Sequence, residues 1–350
     1  MKVVVTGGAG FIGSHVCDAL LKAGHDVTVV DDFSSGRNAN LEEAFELAQR
    51  MGLKFRIVRA SISQEDTWTN LEAADAIVHL AAQTSVTASV HDSKKDFEIN
   101  VLPTQYIISW VRRYQVRMVV YANTAGAMYG KTSYYPTDER AAIRPLSPYG
   151  ATKNFFEIYL SSICEALKAS QAWSSQPKEK NYFSWTSLRL SNVYGPRQIT
   201  KGEAGVIPIF VETLGKSDAP TIFGDGSKTR DYIHVSDVVS AVMMSLEKMQ
   251  QTHLDEGFNI ATSIETRDIE LFEFLVHTMH EIGSDPDSRL EYRNSLKINQ
   301  PKFSPVRPGE VLRSVMDINK AAALLGWKPR VTFHKGLVET VSHYYEYLGV

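Results

Sequence analysis

Short β-branched runs alternate with helix-period stretches over the first two thirds of the chain. Lys2–Thr6 (KVVVT) is apolar at consecutive positions, the pattern of a strand covered on both faces. Glycines follow it, and then Phe11, Ile12, Val16, Leu20 and Leu21 recur at helical spacing up to a stop at Gly24. Asp26–Asp31 (DVTVVD) predicts a second strand, so the chain opens on a strand–helix–strand unit. Phe55–Val58, Ala76–Leu80 and Met118–Ala122 predict further buried strands, with Leu188–Leu190 and Phe258–Ala261 as later ones. Helical stretches lie near 41–51, 97–114 and 149–168. The alternation predicts an α/β fold, a doubly wound parallel sheet of the Rossmann kind. Residues 168–183 are polar and aperiodic and predict a surface loop. After Gly195 the alternation thins and glycine and proline become frequent (VYGPRQ, IFGDGS, RPGE), which predicts a smaller mixed α/β C-terminal lobe.

Composition narrows the classes. The 350 residues carry 37 Lys+Arg against 40 Asp+Glu, a net charge of −3, so no bulk electrostatic case exists for nucleic acid or an anionic membrane. With 43% hydrophobic and 22% charged residues, a mainly disordered or fibrous chain is excluded. Two cysteines, Cys17 and Cys164, make neither a disulfide framework nor a CxxC metal pair, and no histidines cluster at ligand spacing, so no metal site is expected. No apolar run approaches the ~18–20 residues of a membrane span. Glycines interrupt MKVVVTGG before a signal-peptide core develops, and a cytoplasmic, reducing compartment is the expectation.

TGGAGFIG places Gly7, Gly10 and Gly13 at a strand-to-helix junction. Glycines there allow a tight turn and close backbone approach to a pyrophosphate, and the helix N-terminus offers unpaired N–H groups. Asp31, ending the next strand, can accept hydrogen bonds from ribose hydroxyls and would repel a 2′-phosphate, which favours NAD; Arg37 keeps NADP as the alternative.

SPYGATK (147–153) carries the candidate chemistry. Ser147 suits an N-cap and Pro148 a first helical turn, so Tyr149 and Lys153 share a helix face. A free phenol, with pKa near 10, is too weakly ionised to act as a base at neutral pH. A lysine ammonium about 4 Å away contributes on the order of 4 kcal/mol at an effective dielectric of 20. That corresponds to roughly three pKa units, enough to make a working general base.

TGGAGFIG, Asp31, VHLAAQ (78–83), SPYGATK, SNVYGPRQ (191–198), GDGSKTRDYIHV (224–235) and RPGEVLRS (307–314) stand in the order found in extended short-chain dehydrogenase/reductases. The chain most resembles their UDP-galactose 4-epimerase branch, over nearly its whole length, with 168–183 as an insertion. The resemblance implies an NAD-binding Rossmann domain at 1–195 with 234–262, and a nucleotide-sugar lobe at 196–233 with 263–350. It implies Thr124, Tyr149 and Lys153 as the catalytic set. Counting back four from Tyr129 reaches Ala125, which has no hydroxyl; a one-residue-longer loop gives the role to Thr124, with Asn123 in place of the commoner serine. Around the cofactor it places Phe11 and Ile12 at the pyrophosphate, and Asp32, Ser34, Ser35 and Gly36 at the adenine ribose. Ser61 and Ile62 would stand against adenine, Leu80, Ala81, Ala82 and Gln83 would line the cofactor, and Asn100 would stand near the catalytic tyrosine. For the substrate it implies Asn192, Val206, Arg230, Arg307, Glu310 and Ser314, the arginines as guanidinium clamps on the diphosphate. Arg197 is expected to serve the structure of the lobe. His79 is expected in the core or beside the cofactor. A stripe of Phe155, Phe156, Tyr159 and Ile163 reads as core, or as one side of a helix-bundle homodimer interface.

The resemblance also bears on the reaction. Related dehydratases carry Asp-Glu after the catalytic threonine, and related decarboxylases a glutamate two positions on; here Ala125 and Gly126 stand there. What remains is C4 epimerisation through a transient 4-keto sugar. A small Ser314, where some epimerases carry a bulky tyrosine, admits UDP-GlcNAc/UDP-GalNAc as well as UDP-Glc/UDP-Gal. UDP-glucuronate 4-epimerisation, another nucleotide-sugar dehydratase, decarboxylase or reductase activity, and an inactive nucleotide-binding sensor remain the alternatives.

Overall fold

A computed structural model describes residues 1–199, 205–283, 298–306 and 311–348. In chain order the strands and helices are β1 (Lys2–Thr6), α1 (Phe11–Lys22), β2 (Asp26–Asp31), α2 (Glu42–Met51), β3 (Phe55–Arg59), α3 (Glu65–Thr69), β4 (Ala76–His79), α4 (Val86–His91), α5 (Ser93–Asn100), α6 (Leu102–Tyr114), β5 (Met118–Thr124), α7 (Ala125–Tyr129), α8 (Pro148–Ala169) and β6 (Ser184–Leu190). The second part holds β7 (Asn192–Tyr194), α9 (Val206–Gly215), β8 (Thr221–Phe223), β9 (Thr229–Arg230), β10 (Tyr232–His234), α10 (Val235–Gln251), β11 (Glu256–Ile260), β12 (Thr266–Arg267), α11 (Asp268–Gly283), β13 (Lys302–Ser304), α12 (Asn319–Leu324) and α13 (Phe333–Leu348).

Seven strands form one sheet in the order β11-β6-β5-β4-β1-β2-β3, every pair parallel. The apolar runs explain this: strands covered on both faces need apolar residues at consecutive positions. Val3 and Val5 face one core with Val16, Leu20, Val238 and Leu246. Val4 faces the other, with Ile107, Val119, Phe156 and Leu160, as a period of two requires. After β1 the chain winds one way into β2 and β3, and from β4 onward it winds the other way. The crevice outside the carboxyl ends of β1 and β4 is therefore the switch point where such sheets take ligands. A third core, with Phe210, Val211, Tyr232, Leu271, Leu275 and Leu337, holds α9, α11 and α13 together.

The structure departs from the sequence pattern in four places. β6 starts at Ser184, four residues before the apolar run that announces it, because its polar residues are buried too. The 97–114 stretch is two helices that meet at Val101, with Pro103 in the first turn of the second. The 168–183 excursion is not wholly a surface loop: Ser174 bridges Tyr182, and Trp173 stacks on Phe183 at 3.9 Å, both rings buried. The aromatic stripe splits: Phe156 is core, while Phe155 faces outward and stacks on Tyr159 at 5.5 Å.

Candidate active site and cofactor cleft

The glycine loop is packed too tightly for side chains. At Gly7 (φ +70°) a Cβ would stand 2.8 Å from the backbone nitrogen of Ala81, so the loops after β1 and β4 touch backbone to backbone. A Cβ at Gly13 would collide with the Gly7 carbonyl. Gly10, the N-cap of α1, has no side chain to satisfy the first turn, whose N–H groups are left for an anion. Phe11 and Ile12 open that turn, half-buried.

Asp31 is buried, with one oxygen accepting the Ala9 N–H at 2.9 Å and the other the Phe33 N–H at 2.8 Å. Burial pushes its carboxyl above the ordinary range, and these two N–H donors oppose that. Each oxygen keeps a lone pair for a diol. Gly36 stands against it, since a Cβ there would be 2.9 Å from Asp31 Oδ1. Asp32 accepts the Ser34 N–H at 2.9 Å, and Asp32, Ser34 and Ser35 are exposed beside it. Phe33 takes a positive φ of 59° with the Arg59 guanidinium 3.7 Å over its ring. A short glycine cradle, an open helix N-terminus and a ribose-directed carboxylate fit NAD.

Further along the crevice, Thr6 Oγ1 accepts the N–H groups of Leu80 (3.1 Å) and Ala81 (3.2 Å). Its own hydrogen is then left for His79 Nδ1, 2.7 Å away, which makes His79 the neutral Nε2–H tautomer. Burial, helped by Lys153, pushes the imidazole down to about 3. Leu80, Ala81, Ala82 and Gln83 are half-buried along the crevice. Asn100 Oδ1 accepts the Gln83 N–H at 2.9 Å and its Nδ2 donates to the Gln83 carbonyl at 3.0 Å. Asn100 therefore holds this loop to α5, and through Thr152 (3.3 Å) to α8. Ser61 lies two residues past β3, its hydroxyl accepting the Ser63 N–H at 3.2 Å, while the Ile62 side chain is core.

Ser147 caps α8, accepting the Gly150 N–H at 3.2 Å, with Pro148 in the first turn. Tyr149 and Lys153 are both buried on this helix. Lys153 Nζ stands 4.4 Å from the centre of the Tyr121 ring, and the Tyr121 hydroxyl donates to the Lys153 carbonyl at 2.9 Å. Thr124 is the last residue of β5 and opens α7. α8 presses on α7 at Gly150, where a Cβ would meet the Ala127 carbonyl. Ser314 is buried on the other side of α7, its Oγ 3.4 Å from where a Gly126 side chain would begin. α7 is thus opened by Thr124, pressed by the first turn of the helix that carries Tyr149 and Lys153, and faced by Ser314 at Gly126.

The remaining substrate candidates are more scattered. Asn192 is exposed on β7, Val206 opens α9 half-buried, and Arg230 on β9 donates to the Thr229 carbonyl at 2.7 Å. Arg307 and Glu310 fall outside the described residues. A cavity of about 250 Å³, which Arg230 does not line, opens at its chain neighbour Thr229 among Phe223, Gly224, Lys228, Val306 and Arg313. Arg197 pairs with Asp18 (2.7 Å) on α1 and Glu43 (2.9 Å) on α2, a structural part played against these two helices rather than inside the lobe. Among the described residues one group of metal-capable side chains converges, Cys164, Glu165 and Asp255 at the far end of α8, and there the Lys168 ammonium pairs with Asp255. Both cysteines are free and buried, and burial pushes their thiols up.

Sequence reasoning did not single out Tyr121, Glu157 or Arg189. Glu157 was visible as the next turn after Tyr149 and Lys153, and Arg189 as one charge inside an apolar strand.

Fold and cleft together define an α/β dinucleotide-binding enzyme with a tyrosine–lysine pair at the switch point of its sheet. The model of the NAD dependent epimerase/dehydratase family matches residues 3–261, and the chain belongs to that family. It is 37% identical to a putative UDP-glucose 4-epimerase of Methanocaldococcus jannaschii over 342 residues, 97% of each chain. Among solved structures it is similar to the UDP-glucose 4-epimerase of Thermotoga maritima with UDP-glucose, with TM-score 0.83 and 34% identity over 99% of this chain and 100% of that one. It is also similar to the UDP-N-acetylglucosamine 4-epimerase of Methanobrevibacter ruminantium in complex with UDP-N-acetylmuramic acid, with TM-score 0.82 and 28% identity over 99% and 98%.

Proposed function

We propose that this enzyme interconverts the C4 epimers of a UDP-hexose, UDP-GlcNAc/UDP-GalNAc or UDP-Glc/UDP-Gal, with NAD held throughout the cycle. The observation that carries the reading is the packing of α8, which bears Tyr149 and Lys153, on α7, which Thr124 opens and where Gly126 offers no acid to expel water. NAD, when bound, takes a hydride from the sugar carbon and returns it. Gly7, Gly10, Gly13, Phe11 and Ile12 would hold its pyrophosphate and Asp31 its ribose, with 80–83 along its length. Tyr149 would take the proton of the C4 hydroxyl and give it back after the sugar has turned over. Lys153 would favour the phenolate, its ammonium held beside that helix face over the Tyr121 ring. Thr124 would hold the same hydroxyl from the strand side. Asn192, Val206 and Arg230 would take the nucleotide end together with Arg307 and Glu310. Ser314, small and set against Gly126, leaves room for a 2-acetamido group.

The same reading divides the chain into 1–195 with 234–262 for the cofactor and 196–233 with 263–350 for the substrate. It makes the enzyme a homodimer through α4, α5 and α8, whose Val86, Val90, Phe97, Phe155 and Ile158 are exposed. Among the described residues no helix is long and apolar enough to cross a membrane, and two reduced, buried cysteines suit the cytoplasm.

Purified enzyme incubated with UDP-Glc, UDP-GlcNAc and UDP-GlcA is expected to convert one of the first two to a product of unchanged mass, without added NAD. Loss of water, or no turnover of any of the three, sinks the reading. A Tyr149→Phe variant is expected to lose ~10²–10⁴-fold in kcat while still binding nucleotide sugar.

A further inference from the structure

One buried amide touches both elements that carry the reacting groups. Asn123, 3% exposed, lies one residue before Thr124. Its Oδ1 accepts the Thr124 N–H at 2.8 Å, and its Nδ2 donates to Glu157 Oε2 at 2.8 Å. The two partners fix the orientation of the amide, because an N–H only donates and a carboxylate only accepts. Glu157 lies one helical turn beyond Lys153 and two beyond Tyr149. Its carboxylate also accepts from Ser187 Oγ (2.6 Å) and from Arg189 Nη2 (2.5 Å). Arg189 Nη1 donates to the Tyr129 hydroxyl (2.7 Å), which donates to Asn259 Oδ1 (2.9 Å). Asn259 Nδ2 ends the series on the carbonyls of Thr137 (3.0 Å) and Asp317 (3.1 Å). Burial alone would raise the Glu157 carboxyl, yet the hydrogen bond and charge of Arg189 hold it below its ordinary range. The carboxylate is thus a fixed, ionised anchor on the helix.

We propose that Asn123 is a positioning residue: by bridging the Thr124 backbone and the Glu157 carboxylate it sets the distance between the strand-end hydroxyl and Tyr149. This rests on the reading of Thr124, Tyr149 and Lys153 as the reacting set. A displacement of ~1 Å between reacting groups can cost ~10²-fold in rate, so a clamp across that gap controls kcat rather than binding. The bridge needs an acceptor and a donor on one short side chain. Aspartate supplies the acceptor but turns a second negative oxygen on Glu157, and the pair then retains a proton. The titratable groups facing this pair are Arg189 from β6, Tyr129 from α7 and Tyr121 from β5, with Lys153 one turn back on α8 beyond the Tyr121 ring.

The test compares Asn123→Asp and Asn123→Leu with the unmodified enzyme between pH 6 and 8.5, alongside Thr124→Ala and Tyr149→Phe. Asn123→Asp is expected to lower kcat ~10- to 100-fold at pH 8.5 with KM within about threefold. Its kcat relative to the unmodified enzyme is expected to recover ~10-fold as pH falls to 6, because a shared proton restores the donor. Asn123→Leu is expected to stay low at every pH. An unchanged kcat for Asn123→Asp, or a deficit equal to that of Asn123→Leu at all pH values, overturns the proposal. Should Asn123→Leu fail to fold, the pH profile of Asn123→Asp decides alone. Thr124→Ala and Tyr149→Phe variants of full activity would remove the underlying reading and this proposal with it; impaired ones beside fully active Asn123 variants would remove the positioning role only.

Discussion

His79 shows how one hydroxyl settles a charge state. With two N–H groups already on Thr6 Oγ1, the remaining hydrogen needs an unprotonated Nδ1, and a neutral ring also avoids a second cation beside Lys153. A pKa held at about 3 against an ordinary 6.5 means that the unfolded chain binds the proton and the folded one does not. Stability therefore rises with pH across that window and is lost as pH drops below about 6.5, by up to ~1.4 kcal/mol per pH unit. In denaturant melts from pH 7 to 5, His79→Asn is expected to flatten this acid slope; an unchanged slope would show that the ring titrates normally. Tyr149 and Lys153 were legible at this scale because four residues on one helix is a local relation. The Asn123–Glu157 contact spans 34 positions and depends on how α8 settles against β5, which no local spacing encodes.

Elements were legible where their own chemistry closed them. The glycine loop, the Ser147 cap and Pro148 all announced helix starts, and the structure has helices there. Elements defined by tertiary contact were missed: the buried polar half of β6, the break at Val101 and the short α4 carry no strong period of their own. Gly7→Ala is expected to cost about 1–3 kcal/mol, from a left-handed φ together with the Ala81 backbone in its way. It should also lower retained NAD, read from the absorbance of denatured protein; an alanine variant that keeps both would mean that the loops can part. Ser147→Ala leaves the first turn of α8 without its acceptor and is expected to cost about 0.5–2 kcal/mol in urea unfolding.

At the scale of the whole molecule, Arg197 ties the segment after β7 to α1 and α2 through Asp18 and Glu43. Burial lifts Asp18 to about 6 even with the guanidinium opposing it. Arg197→Met would leave that carboxylate buried and alone, at a cost of up to about 3–5 kcal/mol. The deficit is expected to be largest at pH 8 and to shrink towards pH 5.5 as Asp18 takes up a proton; a pH-independent deficit would point to packing instead. The doubly wound order was legible because parallel strands announce themselves by consecutive apolar residues. The thinning pattern announced a smaller lobe but not its strands, since β8, β9, β12 and β13 are two or three residues long and owe their pairing to distant partners. The Trp173–Phe183 stack has its own consequence. It fastens both feet of the 168–183 excursion at the tail of a 22-residue helix, ~30 Å from the phenol at its head. An insertion within the exposed tip, between Ser174 and the buried Tyr182, should leave kcat untouched, which makes this the place where an engineered tag or reporter domain can be spliced in.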